Sequence, residues 1–277
     1  MKGYGERLAA LLAERGPLCV GIDPHPALLT AWGLPVSARG LERCARTMVD
    51  ALADLVPVFK PQSAFFEMHG ARGIAVLEHV LADLRESDAC SLLDVKRGDI
   101  GSTMDAYAAA YLADGAPLAA DAITVSPYLG FGSLAGTIEL AEEEGRGVYV
   151  LALTSNPEGR QVQHARAGSG RLVAEEIVAA AAAANTGKAY GHVGLVVGAT
   201  VGATGVDLSA VHGSLLAPGI GAQGGGAAGL AEVFGTALPY VLPSASREVM
   251  GAGPDPARLR AKAEQMLAQM RTVLPVR

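Results

Sequence analysis

Eight short apolar runs recur along the chain: LCVGID (18–23), VPVFKPQ (56–62), SLLDVK (91–96), AITVSP (122–127), GVYVLALTS (147–155), HVGLVVGAT (192–200), SLLAPGIG (214–221) and LPYVLPSAS (238–246). Each is too short for a helix, rich in Val, Ile or Leu, and bounded by Gly, Pro, Asp or Ser. Apolarity this continuous suits parallel strands buried on both faces. Helix-capable segments lie between the runs, clearest at 41–55, 68–86, 102–112, 133–144, 170–186 and 256–273, with weaker ones near Leu208 and Leu230. Strand then helix, eight times, predicts a (β/α)₈ TIM barrel spanning 18–273 as a single domain. A doubly wound open sheet shares the alternation, but no dinucleotide glycine fingerprint follows the first run. Leu8, Leu11 and Leu12 at helical spacing make residues 1–16 an amphipathic N-terminal helix. Charges run through its apolar part and no cleavage-site pattern follows, so it does not read as a signal peptide.

Composition narrows the partners. The chain has 277 residues, half of them hydrophobic, and a net charge of −6. That is a globular composition with no basic footprint for nucleic acid and no basic run for a membrane surface. No uninterrupted apolar stretch approaches the ~18 residues of a membrane span. Cys19, Cys44 and Cys90 are odd in number, share no metal-like spacing, and read as reduced thiols of a cytoplasmic protein. The six histidines share no HxH, HxxxH or HExxH spacing, so no metal site is indicated.

In a barrel, the C-terminal strand ends form the active face. They carry Asp23; Lys60 and Gln62; Asp94 and Lys96; Ser126; Thr154, Ser155 and Asn156; Thr200; and, at the end of the last run, Ser244 and Ser246 followed by Arg247. Residues two apart on a strand share a face, so Asp94 and Lys96 are expected at the barrel mouth together, with Lys60 beside them. Opposite charges this close keep a lysine protonated and a carboxylate ionised. Such a lysine suits a general acid better than a Schiff-base nucleophile, which needs a depressed pKa. A purely structural salt-bridge network is the competing reading. Asp23, Glu67 and Asp94 together offer a third, a divalent-ion site.

The loops after strands 7 and 8 of such barrels frequently hold phosphate. Here GIGAQGGG (219–226) brings backbone N–H groups within reach of an anion, and Arg247 offers a bidentate fork. Either feature alone would pass for a loop or a surface charge. Together, at the two expected strand ends, they predict a phosphate site.

The stretch Asp94-x-Lys96-x-x-Asp99-Ile100-x-x-Thr103 resembles the signature of the orotidine 5′-phosphate decarboxylase family, and KRGDIGST is similar to its longer, second-type branch. VGIDP (20–24), FKPQSAFFE (59–67), TVSPYLG (124–130), TSNPEG (154–159), PGIGAQGG (218–225) and SASRE (244–248) resemble the corresponding strand-end segments, so the likeness runs from the first strand to the last. It implies loss of CO₂ from orotidine 5′-phosphate to give UMP, without metal or cofactor, in a homodimer with sites at the interface. Lys96 would be the proton donor, Asp94 would face the substrate carboxylate, and Lys60 would bind Asp94 and the ribose. Asp23 would bind the ribose, Ser155 the pyrimidine (Thr154 being its neighbour and rival), and Ser246 and Arg247 the phosphate. Gln223 would bridge pyrimidine and phosphate. Ile100 would lie at the interface, and Asp99 and Thr103 would reach into the neighbouring site. The insertion at 161–170, absent from the short branch, has no implied role. Two other readings remain open: a Mg²⁺-dependent phosphosugar aldolase or decarboxylase barrel, which shares DxKxxD, and a noncatalytic nucleotide-phosphate-binding barrel.

Overall fold

All eight apolar runs become strands. In a computed structural model, which describes residues 2–202, 204–221 and 227–274, they are β1 (Cys19–Ile22), β2 (Val58–Pro61), β3 (Cys90–Arg97), β4 (Ala122–Val125), β5 (Gly147–Leu153), β6 (Gly191–Val197), β7 (Gly213–Pro218) and β8 (Val241–Ala245). Each pairs in parallel with the next, and β8 returns to β1 through Cys19↔Ser244 and Val20↔Ala245, closing a (β/α)₈ barrel.

The longer helices fall where periodicity placed them, for example Ala38–Leu52, Gly70–Glu86 and Pro256–Val273. The last starts sharply because Asp255 accepts a hydrogen bond from the Ala257 N–H and proline occupies the first helical turn. The segment near Leu230 is the helix Ala227–Phe234, whereas that near Leu208 is only the 3₁₀ turn Ser209–Val211. Four short helices had no periodic signal: Pro26–Ala31, Ser63–Glu67, Arg160–Gln163 and Arg247–Met250. They follow β1, β2, β5 and β8, so all four decorate the mouth where the strands end.

Strand parity sorts the core into two layers. Val20, Ile22, Phe59, Leu93, Ile123, Val148 and Val150 point outward, into one large cluster with the surrounding helices. Cys19, Val58, Cys90, Leu92, Ala122, Tyr149, Val196, Leu216 and Leu242 point inward. Tyr4 and Leu8 join that interior cluster from the N-terminal helix α1 (Tyr4–Arg15), which stoppers the lower end. The Tyr4 and Tyr149 hydroxyls meet at 3.0 Å with their rings edge-on. A side chain at Gly5 would put its Cβ 2.1 Å from the Tyr190 carbonyl oxygen, so the helix lies directly on backbone. Toward the mouth the interior turns polar, with Lys60, Asp94, Thr124 and Ser244 all buried. The three cysteines are free and buried, and burial pushes each thiol up to about 12, which makes them packing groups rather than nucleophiles. Among the described residues, no helix is long and apolar enough to cross a membrane.

Candidate active site

The site begins with an irregularity in β3. This strand keeps one register with β2, from Val58↔Cys90 and Phe59↔Ser91 on to Gln62↔Asp94. Against β4 the register breaks, because Leu93 pairs with Ile123 but Arg97 pairs with Val125. Four steps along β3 therefore face two along β4, which is a bulge. Lys96 lies within it at φ 46°, a left-handed conformation that costs a residue with a Cβ roughly 1–2 kcal/mol. Its N–H is held by the Thr124 hydroxyl at 3.0 Å, and its Nζ reaches Asp94 Oδ1 at 2.6 Å. The two charges expected to converge do so, but through a bulge that re-aims the lysine rather than through regular pleating.

Asp94 is the hub of the array. Its Oδ1 accepts from Lys96 Nζ and from Thr124 Oγ1 (2.8 Å), and its Oδ2 accepts from Lys60 Nζ (3.1 Å) and Gln62 Nε2 (2.8 Å). A carboxylate has about four lone-pair sites, and all four are taken. Burial alone would raise its pKa, but Lys60 and Lys96 outweigh that and hold it well below the usual carboxylate range. Lys60 is as buried as Asp94, each side chain being 7% exposed. Burial works against the Lys60 ammonium, yet Asp94 and Asp23 raise its pKa above the ordinary lysine value. Asp23 Oδ1 stands 3.9 Å from Lys60 Nζ, buried and accepting no hydrogen bond among the described residues. An acceptor is thus left over at the mouth.

Two hollows flank this line of charge. One, of about 110 Å³, is lined by Asp23, Lys60, Gly219, Ile220, Ser246 and Arg247. The other, of about 550 Å³, runs from Lys96 past Tyr128, Leu151 and Thr154 to Val162 and Gln163. Hollows of about 670 and 570 Å³ also flank α1 at the opposite end. Several charged groups there are paired with each other, Arg7 with Asp121 and Lys188 with Glu142, and among the described residues none converges as the mouth's do, so chemistry and not size selects the mouth.

The remaining expected residues distribute as follows. Ser246 and Arg247 line the smaller hollow. Thr154 lines the larger one, whereas Ser155 is exposed. Asp99 accepts a hydrogen bond from the Ile100 N–H, and Ile100 and Thr103 stand exposed beyond the mouth. Gln223 falls outside the described residues. Glu67 is not with Asp23 and Asp94: Arg97 and Ser63 each bind its Oε1 at 2.6 Å. Among the described residues no cluster of three or more His, Cys, Asp or Glu side chains is arranged to hold a metal. Arg97 itself lies over the Tyr107 and Tyr111 rings, tying the end of β3 to the helix that follows it, Gly101–Leu112. Gln62, expected at the end of the second run, joins the hub. Two members of the site were not singled out from sequence. Thr124 was detectable as a polar residue in an apolar run at inward parity. Gln163 carried no such signal.

The fold and the site define a (β/α)₈-barrel enzyme whose mouth is built round fixed charge. A model of the orotidine 5′-phosphate decarboxylase / HUMPS family matches residues 16–262, and the chain belongs to that family. It is 59% identical to the orotidine 5′-phosphate decarboxylase of Salinispora arenicola and 53% identical to that of Streptomyces coelicolor, in each case over 99% of both chains. A Streptomyces avermitilis crystal structure, provisionally assigned the same activity, superposes with a TM-score of 0.96 at 53% identity, covering 99% of this chain and 96% of that one. The structure of Leishmania donovani OMP decarboxylase superposes with a TM-score of 0.77 at 31% identity, covering 98% of both chains.

Proposed function

We propose that the chain converts orotidine 5′-phosphate to UMP and CO₂ by charge stabilisation of a carbanion at pyrimidine C6. The observation that carries this reading is the Lys60–Asp94–Lys96 line, buried at Lys60 and Asp94 and open at Lys96, set between a hollow of about 110 Å³ beside Arg247 and one of about 550 Å³ beside Thr154. The phosphate sits against Arg247, Ser246 and the backbone at Gly219, a ribose hydroxyl donates to the vacant acceptor on Asp23, and Lys60 lies between. The pyrimidine occupies the larger hollow, with its amide edge toward Thr154 and Ser155 and C6 over Lys96.

The bond from C6 to the carboxylate breaks with its electron pair left on C6. That carbon has no adjacent carbonyl to delocalise the pair, so a fixed ammonium is the available remedy. Lys96 supplies it and then gives its proton to C6, forming the C–H bond of UMP and a neutral amine that solvent reprotonates. Asp94, held ionised, crowds the substrate carboxylate, and binding energy from the distant phosphate offsets that crowding. We further propose a homodimer in which the exposed Ile100 packs at the interface. Asp99 and Thr103 reach the partner's site, and Gln223 closes over phosphate and base. Three buried free thiols fit the reducing cytoplasm.

The magnesium-dependent reading is disfavoured by the hub itself. With four donors on Asp94 and Glu67 bound to Arg97, a divalent ion would have to displace an ammonium. The test is EDTA-treated protein with orotidine 5′-phosphate, following loss of the orotate absorbance. Turnover supports the assignment. Activity that appears only on adding Mg²⁺ overturns it in favour of a phosphosugar-type barrel, and UMP binding without turnover overturns it in favour of a binding module.

A further inference from the structure

After β5 the chain leaves the barrel on an excursion: the 3₁₀ turn Pro157–Gly159, the short helix Arg160–Gln163, and a loop closed by the antiparallel bridge Arg166↔Leu172. Its polar contacts include some within the loop, such as Arg166 to the Gly170 carbonyl, and some to the helix that follows it (Val173–Ala184), such as Ser169 to Glu176. Gln163 is different. Its Oε1 accepts from the Thr154 N–H at 2.9 Å and its Nε2 donates to Thr154 Oγ1 at 2.7 Å, so one amide grips one residue at two points. The Thr154 hydroxyl in turn donates a hydrogen bond to Asn156 Oδ1 at 2.6 Å. The chain is fitted to this clamp: a Cβ at Gly159 would stand 2.8 Å from Thr154 Oγ1 and 3.0 Å from Gln163 Nε2. Thr154 and Gln163 both line the hollow beside Lys96, and Val162 of the same short helix adds an apolar wall.

We propose that Gln163 is a positioning residue for base recognition, acting through its two-point clamp on Thr154 to hold the 157–172 excursion against the base-side hollow. The inference rests on the decarboxylase reading given above and supplies a role for the insertion at 161–170. Thr154 has its backbone donor and hydroxyl fixed in direction before any ligand arrives. A preset wall lowers the ordering cost of binding the base and leaves the phosphate end untouched. The clamp therefore acts on affinity for the base and not on the proton transfer, which belongs to Lys96.

The experiment compares Gln163→Ala with the unmodified protein in steady-state kinetics and in direct binding of UMP and of ribose 5-phosphate, which lacks the base. KM for orotidine 5′-phosphate is expected to rise about tenfold, the loss of about 1.4 kcal/mol in reach of two neutral hydrogen bonds. The value of kcat is expected to stay within about threefold, since a residue acting on ground-state binding alone changes KM and leaves kcat. UMP affinity should fall by a similar factor while ribose 5-phosphate affinity is unchanged. Gln163→Glu, which keeps the acceptor for the Thr154 N–H, should recover part of the loss. Adding Thr154→Val to Gln163→Ala should cost little more than either alone, as groups acting as one unit do. Wild-type kinetics in Gln163→Ala would overturn the inference, as would equal losses for UMP and ribose 5-phosphate. Tighter UMP binding would also overturn it, since the amide would then be competing with the base. Absence of turnover in the unmodified protein would count against the decarboxylase reading instead, and the two binding measurements would still decide the clamp.

Discussion

Asp94→Asn changes a single atom, yet the four-donor hub makes its consequence calculable. Turned one way, the new NH₂ faces Lys60 and Gln62; turned the other, it faces Lys96 and Thr124. The second is the milder, because the Thr124 hydroxyl can rotate to accept and Lys96, 46% exposed, can swing into water. Lys60 cannot leave: it is buried, and among the described residues its only other carboxylate is Asp23 at 3.9 Å. Breaking a buried pair by removing one partner costs roughly 3–5 kcal/mol, and the escape of Lys96 puts this case near the lower end, at about 3 kcal/mol.

The pH dependence has a definite sign. In the unmodified protein the folded pKa of Asp94 is depressed, so its contribution is present above the ordinary carboxylate value of about 4 and is lost as pH falls through the folded value. The folded pKa of Lys60 is raised, so its contribution is present below about 10.4 and is lost only as pH rises through the raised value. The array therefore contributes a flat stability from about pH 5 to about pH 10. In Asp94→Asn Lys60 loses the larger part of its Coulombic support, keeping only the more distant Asp23, and burial then drives its pKa down. The deficit should then shrink by roughly 1–2 kcal/mol between about pH 7 and about pH 10, as the buried ammonium sheds its proton. Urea unfolding across that range measures it. Adding Lys60→Met should restore most of the stability, because buried ion pairs are often replaceable by apolar groups, while decarboxylation stays absent. A single variant as stable as the parent at about pH 7, or a deficit that grows with pH, would refute the reasoning.

Lys96→Ala should lose at least about 10³-fold in kcat, since it removes both the stabilising charge and the proton, while UMP affinity changes less than about tenfold. Arg247→Ala should raise KM for orotidine 5′-phosphate by about 10–100-fold, the range of a lost charge-assisted contact, and leave binding of unphosphorylated uridine unchanged. Mixing inactive Lys96→Ala and Asp99→Ala dimers under subunit exchange should restore about a quarter of the parent activity, because half the dimers become hybrids with one complete site each. Hybrids shown to form but remaining inactive would remove Asp99 from the partner's site.

The parts of this fold that were legible in the sequence are those that repeat. Eight apolar runs alternating with helical segments point to a closed parallel barrel, and strand parity then delivers Lys60, Asp94 and Thr124 to the same interior. What pattern reasoning missed is local and irregular. The bulge at Lys96 is invisible because two surplus residues in an apolar strand look like two more residues of strand. The helices Ser63–Glu67 and Arg160–Gln163 span too few turns to generate a period. The Gln163–Thr154 clamp joins residues of a turn-rich segment whose composition says only that the chain bends. The choice between Thr154 and Ser155 depends on one residue of register at the end of β5, where regular alternation has already stopped.

The stopper helix α1 has a consequence for traffic. With Tyr4 and Leu8 filling the lower interior and Gly5 pressed onto the Tyr190 carbonyl, the vessel is blind at one end. Among the described residues that leaves the mouth to serve substrate entry, gas escape and nucleotide exit alike. In the binding mode proposed above, carbon dioxide would be released at the inner end of a substrate whose phosphate and sugar still occupy the threshold, and would have to pass its own co-product on the way out. Any rim segment that shuts over the base also shuts that exit, and the reopening of one gate then sets the departure of both products.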